Sequence, residues 1–369
     1  MEKRLFAAID VGTTTVAVSI INEDNIVIAK DGFLNPEKIF GSDVISRITN
    51  SKKADNLIRM KKMMEEAILD SYNKMLFSIA KNKDPDIKPV IKRAVISANT
   101  TMASIILGKN IESLGVSPFK MPFTSDEEIT FAGVKTRVIA GASAFIGGDI
   151  LSGLIYLSLK ENDILMDLGT NGEIVVRKND KYYATSAACG PAFENCTRAK
   201  GIYGSTTLSA ISLLLKKKII SPDIILNEDM VKNGIDLISN GTKINISAEI
   251  LRDVQLAVSA IYSSLYLLIK KAGLNINDIN DINNLYISGG FGFNMSLSDS
   301  AFLGIIPESL VSKAKIAGNT SLLGAEILVF DPDKISLLKD MRENFSIINF
   351  GGNAQYQSIF EQNLILKRR

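Results

Sequence analysis

Two stretches of the chain place a carboxylate, a glycine and hydroxyl side chains at the end of an apolar run. They are Asp10-Val11-Gly12-Thr13-Thr14-Thr15 and Asp167-Leu168-Gly169-Thr170-Asn171-Gly172. A glycine there lets the backbone approach a phosphate, amides and threonine hydroxyls donate to its oxygens, and the aspartate orders a Mg²⁺ ion, usually through water. A single copy reads better as a glycine hairpin with an Asp-initiated turn. Here the two aspartates stand 157 residues apart, and a third segment, the apolar Leu285–Ser288, runs into Gly289-Gly290-Phe291-Gly292. Turns alone do not explain that combination, and nucleotide binding does. The chain has no Gly-x-x-x-x-Gly-Lys-Ser/Thr loop and no Gly-x-Gly-x-x-Gly opening an early strand-to-helix turn, so neither a P-loop nor a Rossmann site is indicated.

The remaining chemistry is narrowed by what is missing. The 369 residues include no histidine, which removes the commonest metal ligand, the usual general base at neutral pH and any Ser/His or Cys/His nucleophile pair. Carboxylates, hydroxyls, lysines and backbone must do the work, with Glu173 and Glu194 as candidates to orient an attacking water or the Mg²⁺ shell. Lys and Arg total 42 against 40 Asp and Glu, so the formal charge of +2 gives no global pull toward nucleic acid or anionic lipid. The runs Lys216-Lys217-Lys218 and Lys367-Arg368-Arg369 read as solvated charge. Two cysteines, Cys189 and Cys196, are too few for a disulfide framework or a four-thiolate site within one chain, as in a reducing compartment. The N-terminus lacks the pattern of a signal peptide, so a cytoplasmic protein is expected. The longest membrane-like stretch, Val138–Leu159, contains Asp149 and several glycines. A central aspartate costs about 2.5–3.5 kcal/mol in a membrane, and a loop followed by a buried helix is predicted instead.

The elements that must carry these residues follow from periodicity. Leu5–Asp10, Val16–Ile21 and Ile26–Ala29 read as a meander of strands, and Ala94–Ala98 as a further strand ending in Asn99-Thr100-Thr101. Apolar residues recur at three- and four-residue steps from Met60 to Ile79, an amphipathic helix whose methionine stripe packs a core. From Ile164 the strand pattern restarts, with a turn at Asp167–Gly172, a strand at Glu173–Val176 and a charged turn at Lys178–Lys181. A period this long means duplicated domains rather than a solenoid. The predicted division is 1–157 and 158–369. In the second half Leu251–Ala272 reads as a long helix stopped by Gly273.

Taken together, the loops resemble those of the acetate kinase, sugar kinase, Hsp70 and actin superfamily. That resemblance implies an α/β fold of two ribonuclease-H-like domains with ATP in the cleft between them. It makes Asp10–Thr15 the first phosphate loop, Asp167–Gly172 the second and Ser288–Gly292 the adenosine segment. Within the superfamily, the chain is most similar to the ATPase domain of the reductive activators of corrinoid proteins. The similarity is carried by Ala8–Thr15, Ser42-Asp43-Val44-Ile45-Ser46-Arg47-Ile48, Asn99-Thr100-Thr101-Met102, Asp167–Glu173, Gly190-Pro191-Ala192-Phe193-Glu194 and Gly318-Asn319-Thr320, in order along nearly the whole chain.

The resemblance implies ATP and Mg²⁺ as cofactors, with Asp10 and Asp167 as metal ligands and Gly190 and Pro191 beside the nucleotide. It implies ATP hydrolysis coupled to the return of cob(II)alamin to cob(I)alamin on a corrinoid partner protein, with no nucleic acid and no membrane involved. Members of that family usually carry a fused iron–sulfur domain. Two cysteines do not provide an ordinary cluster site, so electrons are expected from a separate low-potential donor, and without histidine the cobalt ligands must sit on the partner. Cys189 and Cys196 are expected to be small packing residues. Other readings stay open: a homodimer sharing one cluster through two cysteines from each chain, a small-molecule kinase of the same fold, and a non-hydrolysing nucleotide-binding scaffold.

Overall fold

In the computed structural model the apolar run before Gly12 is the central strand of a sheet. The structure describes residues 2–81, 88–169, 171–190, 204–239, 242–292 and 295–369. Strand β1 (Glu2–Val11) pairs antiparallel with β2 (Thr15–Ile21), which pairs with β3 (Val27–Leu34). On its other side β1 runs parallel to β4 (Lys88–Ala98). A hairpin of β5 (Glu127–Phe131) and β6 (Val134–Val138) completes the order β3-β2-β1-β4-β6-β5. Being covered on both faces is what makes β1 a continuous apolar run rather than an alternating one.

The two faces of β1 differ. Leu5, Ala7, Ile9 and Val11 belong to the same buried cluster as Met60, Met64, Ile68, Tyr72, Met75 and Ile79 of the helix Asn56–Lys81. Strand alternation turns Ala8 and Asp10 to the opposite face. There Ser97 lies opposite Asp10 in β4 and Ser19 opposite Ala8 in β2. This polar strip receives the helix Thr320–Leu328, whose Ser321 and Glu326 bond to Ser97 and Ser19 at 2.8 and 2.6 Å. The same helix packs on the helix Gly148–Leu157 through Gly324, where a β-carbon would overlap the carbonyl oxygen of Ser152.

A second sheet repeats the plan. Strands β7 (Asp163–Leu168), β8 (Gly172–Lys178) and β9 (Lys181–Ala187) form the meander. After the separate hairpin β10 (Ile235–Ser239) and β11 (Thr242–Ile246), strand β12 (Asn284–Ser288) lies parallel to β7, and β13 (Ala314–Gly318) lies parallel to β12. With β14 (Phe345–Ile347) at the edge beside β9, the order is β13-β12-β7-β8-β9-β14. Both sheets therefore place their first four strands as third, second, first and fourth, which is the duplication the two loops announce. The helix Ala248–Lys271 packs this core and ends at Gly273, whose φ of 79° gives the left-handed stop.

The chain divides into two compact units, Met1–Ser158 with Asn319–Phe345, and Leu159–Gly318 with Ser346–Arg369. The segment 319–345, placed in the second domain by the sequence division, packs with the first. Val138–Leu159 is a strand end, a loop and the buried helix Gly148–Leu157, and among the described residues no helix is long and apolar enough to cross a membrane. One charge run differs from expectation. Arg369 is half-buried and held: its guanidinium donates to the carbonyls of Gly304, Asn363 and Ile365 at 2.6, 2.6 and 2.9 Å and lies over the Tyr262 ring.

The close approach at Gly324 gives a test of the returning segment. Gly324→Ala should lower stability in urea by about 1–3 kcal/mol, the usual cost of overpacking. An unchanged midpoint would mean that the two helices do not meet there.

Candidate active site

The first loop is a tight turn in which the Gly12 N–H donates to the Thr15 carbonyl at 2.9 Å. A β-carbon on Gly12 would stand 3.0 Å from that oxygen, so the turn has little room for any other residue. Three asparagines grip it. Asn99 caps the helix Thr100–Leu107 by accepting from Met102 N–H at 3.0 Å, and donates through Nδ2 to the Thr13 hydroxyl at 3.1 Å. Asn319 caps the helix Thr320–Leu328 by accepting from Leu322 N–H at 2.9 Å, and donates to Asp10 at 2.8 Å. Asn35 donates through Nδ2 to the Gly12 carbonyl and through its backbone N–H to the Thr14 carbonyl, both at 2.8 Å. In each cap the amide oxygen serves the helix and the amide nitrogen serves the loop, so one side chain fixes the position of both. Thr13 is buried, Thr14 half-buried and Thr15 exposed.

Asp10 stands at the end of β1 with both oxygens engaged. One accepts from Asn319 and the other from Ser321 Oγ at 2.7 Å, and Ser321 in turn pairs with Ser97 at 2.8 Å. Burial pushes the carboxyl up from its ordinary value, and the bonds from Ser321 and Asn319 pull it back. A carboxylate whose charge is incompletely compensated in this way suits a divalent cation, because each oxygen keeps a lone pair beyond the hydrogen bond it accepts.

Behind the loop lies a fully buried ion pair, Arg47 with Glu37 at 3.4 Å. Arg47 also donates to the carbonyls of Gly41, at 3.1 Å, and Thr13. Its position is set by the helix Val44–Ser51, which opens with a capping box between Asp43 and Ser46. Burial raises the Glu37 carboxyl to about 7 despite Arg47, and Glu37 Oε1 finds no hydrogen-bond partner among the described residues.

The second loop turns with Gly169 N–H donating to the Asn171 carbonyl at 2.9 Å. Asp167 accepts from Ser288 Oγ at 2.6 Å, its register partner on β12. On the other side its antiparallel partner is Glu173, which accepts from Ser186 at 3.1 Å. Directly opposed residues of an antiparallel pair share a face, and two carboxylates so placed repel unless a cation or proton lies between them. Asp167 and Glu173 thus fit a Mg²⁺ site or a water-orienting pair. Immediately after Ser288, Gly289 has φ 89°, and a β-carbon there would overlap the Leu168 carbonyl. At Gly290 and Gly190, by contrast, a β-carbon would meet nothing within 4 Å among the described residues.

The first unit thus gathers Asp10, Gly12, Thr13, Thr14 and Thr15. The second gathers Asp167, Gly169, Asn171, Glu173 and Gly289 around the ends of β7 and β12. Thr170, Pro191, Glu194, Cys196 and the Phe291 side chain lie outside the described residues. Cys189 is buried in the core of the second unit, its thiol donating to the Ala187 carbonyl at 3.3 Å, and burial pushes the thiol up, away from the thiolate form. Sequence reasoning about the site did not find Asn35, Glu37, Ser97 or Ser321. Asn319 and Arg47 stand out in the sequence only within stretches of resemblance, and Asn99 there and at a strand end, although an asparagine just before a helix is a readable cap signal.

The family model described as the RACo middle region matches residues 5–162. The model described as the C-terminal domain of RACo, the ASKHA domain, matches residues 161–198 and 195–369. The chain is 26% identical over 400 residues to the corrinoid activation enzyme RamQ of Eubacterium limosum, an alignment covering 91% of this chain and 66% of that protein. A solved reductive activator for corrinoid, iron-sulfur protein superposes with a TM-score of 0.81 at 21% identity, covering 99% of this chain and 66% of the other. The likeness to the solved structure is one of fold, and the chain spans just under two-thirds of the length of both relatives.

Glu37 yields a pH prediction. Its carboxyl is raised in the folded protein from 4.5 to about 7, so as pH rises between those values the unfolded chain loses a proton that the native state keeps. Stability should therefore fall across that window, by roughly 3 kcal/mol for this group, and level off above it. Glu37→Gln should remove that share of the slope in urea titrations from pH 4 to 8. An identical slope in the variant would show that Glu37 titrates as an ordinary carboxylate.

Proposed function

Because the chain belongs to the family of the RACo middle region and its C-terminal ASKHA domain, we propose that it is an ATP-hydrolysing activator of a corrinoid protein. It supports reduction of cob(II)alamin to cob(I)alamin with electrons from a separate low-potential donor. The observation that carries the reading is the repeated, serine-held carboxylate. Asp10 and Asp167 each end the first strand of a like-ordered sheet, each beside a glycine turn, and each accepts a hydroxyl from a serine distant in sequence.

In this reading Asp10–Thr15 and Asp167–Gly172 are the two phosphate loops, and Gly289–Gly292 with Gly190 and Pro191 borders the adenosine. Asp10 and Asp167 hold Mg²⁺, which when bound neutralises charge developing on the transferred phosphoryl group. The chain's own residues orient these carboxylates. Ser321 and Asn319 fix Asp10, and Ser288 fixes Asp167. Glu173, sharing a face with Asp167, or Glu194 accepts a hydrogen bond from the attacking water and sets its direction. With the Cys189 thiol buried and protonated, the cluster-sharing homodimer gains no support from that residue.

The assay combines this protein, Mg-ATP, a cob(II)alamin-loaded corrinoid protein and a low-potential reductant, and follows the absorbance of cob(I)alamin. Reduction that proceeds equally well without the protein or without ATP, for every corrinoid partner offered, would overturn the client assignment. Asp10→Asn and Asp167→Asn should each lower Mg²⁺-dependent ATP turnover by roughly a hundredfold or more while changing nucleotide affinity much less, since ordering the metal matters most as phosphoryl charge develops. Near wild-type turnover in both variants would remove these carboxylates from the site.

A further inference from the structure

The first loop is held from its buried side by three consecutive carbonyls. Gly12 O accepts from Asn35 Nδ2 and Thr14 O from the Asn35 N–H, both at 2.8 Å, and between them Thr13 O accepts from the Arg47 guanidinium. Asn35 and Arg47 converge, since both contact Met102 Sδ, at 3.6 and 2.9 Å. The cis peptide bond among the described residues is Ser117–Pro118, so the loop bonds are trans. A planar trans peptide points its N–H opposite to its C=O. Holding these three oxygens inward therefore turns the N–H groups of Thr13, Thr14 and Thr15 away from Arg47 and Asn35. Successive amides facing one way make an anion-binding concavity.

Arg47 is fully buried, so it cannot meet a ligand itself. Its guanidinium fork is divided among Glu37, the Gly41 carbonyl and the Thr13 carbonyl, an arrangement only a planar multi-donor group can hold. A buried ion pair contributes little net stability. What this one fixes is the direction of a single peptide plane. A charged donor on the Thr13 carbonyl also polarises that peptide and strengthens its N–H, which belongs to Thr14, as a donor. We infer that Arg47, anchored by Glu37, is a positioning residue that sets the amides of the first loop to receive the phosphates of a nucleotide. The inference rests on the reading of Asp10–Thr15 as a phosphate loop.

The test compares a ligand that carries phosphates with one that does not. Mg-ATP and adenosine are titrated calorimetrically into wild-type protein, Arg47→Lys and Glu37→Gln. Lysine keeps the charge and loses the fork, while glutamine keeps the shape and loses the charge. Arg47→Lys should weaken Mg-ATP binding by about tenfold, the scale of one charge-assisted hydrogen bond, and leave adenosine affinity unchanged. Glu37→Gln should show a smaller loss, about threefold, with the same selectivity for phosphate. Should Arg47→Lys fail to fold, the Glu37→Gln comparison alone decides. Equal losses for both ligands, or none for either, would make the pair a packing feature and overturn the inference. Wild-type protein that binds adenosine and Mg-ATP with the same affinity would instead overturn the phosphate-loop reading, and this inference with it.

Discussion

The structure turns on one carboxylate that its own strand cannot satisfy. Asp10 ends a strand buried on both faces, and its oxygens are met by Asn319 and Ser321, more than 300 residues later in the chain. Leaving a buried carboxylate without partners costs more than any single hydrogen bond returns, so the first unit is complete only when the segment 319–345 has packed onto it. The glycine approach of Gly324 to Ser152 and the serine pair Ser97–Ser321 follow from the same need to bring that helix close.

The two units solve a common problem with different means. Each puts an aspartate at the end of its first strand, a glycine turn after it and a serine hydroxyl on the carboxylate. In the first unit the supporting groups are asparagine caps and a buried Arg47–Glu37 pair, which hold the turn by its carbonyls. The second has a carboxylate opposite a carboxylate, Asp167 with Glu173, and a strained glycine at 289 against the Leu168 carbonyl. The first arrangement fixes backbone carbonyls, and the second sets two carboxylates side by side on one face of the sheet.

What could be read from the sequence was local. Both meanders, the helix Asn56–Lys81, the stop at Gly273 and the strand leading into Gly289 follow from periodicity and turn chemistry, which need only neighbouring residues. The duplication was legible because two short motifs recur. The groups that orient the motifs were not, since Asn319 reaches Asp10, Arg47 reaches Thr13 and Ser288 reaches Asp167 across long separations that no spacing rule encodes. The same limit explains why sequence pattern alone groups the segment 319–345 with the second half. Its helix has ordinary composition, and its place is selected by a polar strip made by Ser19, Ser97 and Asp10 on other strands and by the close approach of Gly324 to Ser152. Arg369 looked like solvated charge for a related reason, because its three carbonyl acceptors come from two separate turns.

If ATP and a corrinoid partner act on one conformational equilibrium, each must change the affinity of the other by the same factor. The direct measurement is the affinity for Mg-ATP, by calorimetry, alone and with a saturating cob(II)alamin-loaded corrinoid protein, paired with the affinity for that protein in the presence and absence of nucleotide. A coupled activator gives two equal ratios different from one, and the ratios change when the cobalt is brought to the cob(I) state. ATP affinity that is the same with and without the partner, in both cobalt states, would contradict the coupling of nucleotide to corrinoid on which this account rests.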